Sequence, residues 1–312
     1  MLSRVANSLY WMGRYLERTE HLARYLNVQY FSTLDAPMSQ KKHFVLKSIM
    51  NMVGVPEEEN TDELEEEEVL FKVALDQENT YSLIASVTQG RENARGIRSV
   101  ISTELWESIN KYYHFVHNYP VDVYKTRGLY DFCINAIQHC AVIRANVDNT
   151  LIHDNVHAMI LLGIHLERAA QITRILSSKL YDIFSITEGA SNLPLESYQW
   201  TITLKALEAF DMSHRFYTFS PNQQSICEFL IMNKDFPRSI AFNIDKVQDF
   251  LNYISRKNDY DPDSLGFYLG RMAGYYKYLM YEDISDDLQG FLTQTLENIY
   301  HMHTLLMKEY LA

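Results

Sequence analysis

One helical motif occurs twice, 150 positions apart: Gly13-Arg14-Tyr15-Leu16-Glu17-Arg18 and Gly163-Ile164-His165-Leu166-Glu167-Arg168. The match runs on to Arg24 and Arg174, eleven residues past each glycine, and to Leu26 and Leu176, thirteen past it. Neither stretch holds a further glycine or proline, so each reads as one uninterrupted helix. A second pair of segments extends the repetition. Phe71 to Ile84 resembles Phe229 to Ile240, with Asp76 answered by Asn233 and Ser82 by Ser239 at an offset of 157. Two offsets this close, preserved over more than sixty residues, imply an internal duplication. The expectation is a single domain, 1–312, made of pseudo-repeat halves of about 1–150 and 151–312 that share a core around a pseudo-twofold axis.

The fold class expected is all-α, a helical bundle. Only 11 glycines and 7 prolines interrupt 312 residues, and apolar side chains recur every three or four positions. The pattern predicts helices at about 3–33, 39–53, 66–75, 79–118, 125–150, 153–184, 198–217, 222–232, 237–256, 262–281 and 284–310. Asp261-Pro-Asp-Ser264 reads as a helix start, and Pro237 as a first-turn proline.

Net charge is −12, yet nine of the forty acids fall between Glu57 and Glu68, which leaves 31 acids against 28 bases elsewhere. That run reads as a solvated loop or a frayed helix. A near-neutral body without a basic stripe argues against nucleic acid, because phosphate neutralisation needs clustered Lys and Arg. Cys133 and Cys140 are seven apart, above one another on a helix, and with Cys227 read as free core thiols. The longest apolar run, Met159 to Ile164, is far below bilayer length, and no leader precedes the first motif, so a cytoplasmic protein that does not enter the membrane is expected.

Adjacent Glu and Arg on a helix point about 100° apart and do not face each other. Glu17, Arg18, Glu167 and Arg168 must therefore find partners elsewhere. Arg18 lies among Trp11, Tyr15, Leu22 and Tyr25, and Arg168 among Leu161, Ile164, Ile172 and Ile175. A guanidinium buried there needs a carboxylate, since breaking a buried pair costs about 3–5 kcal/mol. Glu17 sits beneath Gly13 in line with Arg24, and Glu167 beneath Gly163 in line with Arg174. A glycine admits a close neighbour, whether a helix or a ligand, at a cost of about 1 kcal/mol to its own helix. Two readings follow: an interhelical Glu–Arg clasp, or a ligand site lined by Gly13, Arg14, Glu17, Arg18, Arg24, Gly163, Glu167, Arg168 and Arg174.

Arg91, Arg95 and Arg98 fall on one helical face and would suit a carboxylate or phosphate, or else pair with acids of the two motif helices. His153 and His157 have the i, i+4 spacing of metal ligands, but neither His-Glu-x-x-His nor Glu-x-x-His occurs, so no metal is expected. The chain has no phosphate-cradling glycine loop, dinucleotide fingerprint or nucleophile elbow, and no cofactor is expected.

The run Leu9 to Arg24, the string Gly90-Arg-Glu-Asn-Ala-Arg95 leading to Glu104-Leu-Trp106-Glu-Ser-Ile-Asn110, and Leu166-Glu-Arg-Ala169 resemble the bacterial alpha-E domain family, as do Phe236-Pro-Arg-Ser239 and Tyr268-Leu-Gly-Arg271. The resemblance spans the whole chain. It departs at Ile164, where the family pattern has an arginine. It implies a helical domain of uncharacterised function, encoded or fused with ATP-grasp type ligases and transglutaminase-like proteins. Three functions stand open: an accessory protein serving such a ligase in peptide or amide-bond chemistry, an amide- or peptide-transfer enzyme with Glu17 or Glu167 as general base beside an arginine clamp, and a purely structural scaffold.

Overall fold

Helices α1 (Ser3–Asp35) and α8 (Asn155–Thr187) each run for 33 residues and carry the two copies of the motif. The computed structural model describes residues 1–35, 42–53, 65–187, 193–255 and 261–311, and among these residues the chain is helical with no strand. The part of the acidic run up to residue 64 lies outside the described residues. Glu66, Glu67 and Glu68 form the first turn of a helix, where negative charge complements the exposed N–H groups and the helix dipole.

The chain divides into two compact units. One comprises Tyr15–Ile152, the other Met1–Arg14 with His153–Ala312, so the first turns of α1 belong to the second of these. In the Tyr15–Ile152 unit, α1 is followed by α2 (Lys42–Val53), α3 (Glu66–Ala74), α4 (Leu83–Gly96), α5 (Thr103–His117), a single turn α6 (Val121–Val123) and α7 (Leu129–Thr150). Helix α5 packs on α4 and α7. Its buried residues Leu105, Ile109, Tyr112 and Val116 recur at helical spacing and form the stripe that holds it there. Full burial of each such side chain contributes about 1.5–3 kcal/mol.

In the other unit α8 is the central element, in contact with α9 (Leu193–Ala206), α12 (Ile240–Ser255) and α14 (Leu288–Leu306). The remaining helices of this unit are α10 (Phe210–Phe216), α11 (Gln223–Cys227) and α13 (Leu265–Tyr278). From Leu162 to Thr173 every α8 residue is buried, as expected of a helix surrounded on all sides. His165 of the motif is fixed by Asn243 of α12, whose Oδ1 lies 2.8 Å from Nδ1, while Asn243 Nδ2 donates to the carbonyls of Pro237 and Ser239.

Two expected helices are broken. The stretch 79–118 divides at residues 97–102, because Gly96 ends α4 and the Ser102 hydroxyl caps α5 by accepting from Leu105 N–H. The stretch 198–217 divides at Leu207–Ala209, where Glu208 takes a φ of 52° that a helix cannot hold. Pro237 lies before α12 rather than in its first turn, since Ser239 is the capping residue. Ser264 does cap α13, accepting from Phe267 N–H. The two Asp/Asn turns have the same local geometry: Asp76 Oδ1 accepts from Glu78 N–H and Asn233 Oδ1 from Asp235 N–H, and Ser82 and Ser239 cap the helices that follow.

Candidate functional site

Helices α1 and α8 meet at their two motif glycines. A Cβ on Gly13 would lie 2.5 Å from the Ile160 carbonyl oxygen, and one on Gly163 would overlap the Tyr10 carbonyl oxygen. The contact is reciprocal, since each glycine faces the carbonyl three residues before the other. Only a residue without a side chain allows two backbones this near.

That approach brings Arg14 onto Glu167. Arg14 Nε donates to Glu167 Oε2 at 2.6 Å, Gln171 Nε2 donates to Oε1 at 2.8 Å, and both charged side chains are almost fully buried. Burial alone would lower the Arg14 pKa, but the Glu167 charge, with Tyr10 adding to it, more than reverses that and holds it above its ordinary value. Arg14 NH1 also donates to the Tyr10 hydroxyl at 3.2 Å, and that hydroxyl lies 2.9 Å from His303 Nδ1 of α14. The Tyr10 and His303 rings stack, Trp11 meets His303 edge-on, and the guanidinium lies over Trp11. Burial, then the nearby Arg14 charge, pushes the His303 pKa down to about 4 against a weaker opposing effect of Glu167. A neutral His303 accepts the Tyr10 proton at Nδ1 and carries its own proton on Nε2.

Glu17 of the first motif copy finds its partners within the Tyr15–Ile152 unit. Glu17 Oε1 lies 3.2 Å from His21 Nε2, the position that answers Gln171, and Oε2 lies 3.8 Å from Arg144 NH1 of α7. Arg144 also pairs with Glu20, which accepts from Arg24 NH2 at 2.8 Å. Glu17 and Glu20 side chains are 1% exposed. Arg18 is half-buried over the Tyr15 ring, and Arg168 is buried. Arg174 donates to the Tyr300 hydroxyl rather than to an acid on its own helix, because Ala170 stands where the first copy has Glu20.

Arg91, Arg95 and Arg98 are brought together, though not as one helical face and not on acids of the motif helices. Glu92 of their own helix bridges Arg91 at 2.8 Å and Arg95 at 2.9 Å. Gly96 ends the helix, so Arg98 leaves the i, i+4, i+7 line and lies over Trp106 of α5, its guanidinium carbon 4.8 Å from the ring. Arg91 rests on Tyr113 at 4.4 Å and donates to Asn110 Oδ1. The Arg91–Glu92 pair also shows that long side chains join neighbours that the helical wheel separates.

Sequence reasoning did not name Tyr10, Glu20, His21, Arg144, Gln171 or His303. Four of these stand three or four residues from Arg14, Glu17, Arg24 or Glu167 and were reachable by that spacing. Arg144 and His303 are distant in sequence and carry no local signal. The three cysteines are buried free thiols, and burial raises the pKa of each, Cys140 to about 11. His153 and His157 stack on each other at 3.9 Å, and no group of three or more potential metal ligands occurs among the described residues. No helix among the described residues is long and apolar enough to cross a membrane.

Comparison with curated proteins and with solved structures finds no match. A family model does match, over residues 1–311, described as a predicted alpha-helical domain with a conserved ER motif; Glu17-Arg18 and Glu167-Arg168 are Glu-Arg pairs of this chain. The chain belongs to the Alpha-E family.

Proposed function

We propose that this protein is a non-catalytic accessory protein that holds or presents a peptide or amino-acid substrate for an ATP-grasp type ligase, with a transglutaminase-like protein as a further partner. One observation supports the non-catalytic part of this reading: Glu17 and Glu167, the carboxylates best placed to act as bases, are 1% exposed and engaged by arginines. A general base must reach its substrate's proton within hydrogen-bond distance. A carboxylate enclosed by its own helices and beside a guanidinium serves as architecture. Gly13, Arg14, Gly163 and Glu167 are on this reading a structural clasp within one unit, while Glu17 and Arg24 belong to the ion-pair cluster of the Tyr15–Ile152 unit, where Arg18 lies over Tyr15; Arg168 and Arg174 are read as structural too. The identity of the ligase partner rests on the family resemblance alone.

The proposal includes descent of the two halves, about 1–150 and 151–312, from one duplicated unit. The equal lengths of α1 and α8, the reciprocal glycine contact and the matched turns at Asp76 and Asn233 support it. A cytoplasmic location is supported by three unpaired thiols.

The test is reconstitution. An ATP-grasp type ligase encoded beside a family member is assayed for substrate-dependent phosphate release with and without this protein. Co-purification and a several-fold rise in turnover are expected. Absence of both would remove the accessory reading, and amide transfer by this protein alone, lost in Glu167→Gln with the fold intact, would replace it with the enzymatic one.

A further inference from the structure

Outside the buried clasp, Arg98 is held by an aromatic ring rather than by a carboxylate. Arg98 is exposed, and no carboxylate among the described residues lies within ion-pair distance of it. Its position is nevertheless defined by Trp106, which it shares with Arg91 at 5.7 Å. Stacking on an aromatic face removes part of the rotamer freedom that an arginine otherwise loses on binding, and leaves the in-plane N–H fork available.

The neighbours restrict what that fork accepts. Arg91 and Arg95 are both engaged by Glu92, so a dianionic phosphate brought among the three guanidiniums would meet a carboxylate already in place. A single carboxylate at Arg98 meets no such conflict and matches the fork's two parallel donors. The chain as a whole carries −12, so long-range attraction does not draw an acidic molecule here and its binding must come from local contacts.

We infer that Arg98 on Trp106, with Arg91, Arg95 and Tyr113 around it, forms a docking surface for an acidic peptide segment, recognised through a side-chain or terminal carboxylate. This rests on the accessory reading and assigns it a substrate class, but its test does not need the ligase.

The experiment titrates a fluorescein-labelled polyglutamate peptide with the full chain at low salt and follows anisotropy. The expected result is a Kd of about 1 mM or tighter. Arg98→Ala should weaken it by about tenfold or more, as loss of a charge-assisted bidentate contact implies. Arg98→Lys, which retains charge without the fork, should recover only part of that, and Arg215→Ala on α10 should bind as the parent does. Circular dichroism confirms that each variant is folded. The inference is overturned by parent affinity weaker than that limit, by unchanged binding in Arg98→Ala, by equal weakening in Arg215→Ala, or by displacement with inorganic phosphate beyond an ionic-strength-matched chloride control. Peptide binding without any effect on a ligase would leave this surface standing and remove the accessory role; the reverse pattern would do the opposite.

Discussion

Replacing Gly163 with alanine tests the account of the α1–α8 contact most directly. The added methyl would overlap the Tyr10 carbonyl oxygen, and the equivalent methyl at Gly13 would sit 2.5 Å from the Ile160 oxygen, where ordinary contact begins at 3.4 Å. The obstacle is backbone in both cases, so the helices must separate by roughly 1 Å. Overpacking of this kind costs about 1–3 kcal/mol, and the upper end applies because the 2.6 Å Arg14–Glu167 bond spans the same contact. Against this, alanine in place of glycine favours the helix by about 1 kcal/mol. The net loss is about 2 kcal/mol, or about 3 °C in Tm for a chain this long. Gly274→Ala supplies the control of opposite sign. Its Cβ meets nothing within 4 Å in α13, so only the propensity gain remains and stability should rise by up to about 1 kcal/mol. Urea unfolding followed by far-ultraviolet circular dichroism measures both. If Gly163→Ala is as stable as the parent, the close approach of α1 and α8 is wrong. The Gly13→Ala/Gly163→Ala pair should cost less than the sum of the singles, because one separation relieves both overlaps.

Glu167→Gln strands the buried Arg14 charge and should destabilise by about 3–5 kcal/mol, whereas an Arg14→Met/Glu167→Met double variant should recover most of that in the same unfolding assay. His303 has a folded pKa depressed to about 4 from 6.5, so its contribution is complete above pH 6.5 and is lost as the pH falls toward 4. The stability difference between the parent and His303→Gln should accordingly shrink over that interval in urea midpoints taken at stepped pH, and a difference independent of pH would contradict the neutral imidazole. Cys133, Cys140 and Cys227 should resist a thiol reagent in the native protein and all react in urea; rapid native labelling of any one would contradict its burial.

The helical class was legible because it depends on spacing, which a sequence displays directly. Helices α1 and α8 follow from long stretches without breakers, and α5 from its buried stripe. The breaks at residues 97–102 and Leu207–Ala209 were hidden for different reasons. The first depended on whether Gly96 and Ser102 act as end and cap or are absorbed in one long helix, a choice that packing makes. The second turns on Glu208 at positive φ, for which glutamate gives no sign. Within the clasp, the glycines announced a close approach but not which neighbour made it.

The two motif copies also explain why their charges are arranged differently. Arg14 uses the glycine contact to reach Glu167, while its counterpart, Ile164, packs beside Gly13, its Cγ1 3.4 Å from where a Cβ there would stand. An arginine at both positions would place two guanidiniums at one tight helix crossing, with the penalty that like charges carry in a buried setting. The second copy therefore contributes an apolar side chain there, and Glu17 draws its cation from Arg144 of α7 instead. A second difference acts beside it: with Glu20 present in the first copy and Ala170 in the second, Arg24 and Arg144 both pair with Glu20, whereas Arg174 donates to Tyr300. Ile164→Arg should therefore destabilise by more than Gly163→Ala does, since it adds a buried charge at the crossing as well as bulk. An Ile164→Arg protein as stable as the parent would mean that the crossing tolerates a second guanidinium, and that the departure of the second copy from the first has no electrostatic origin.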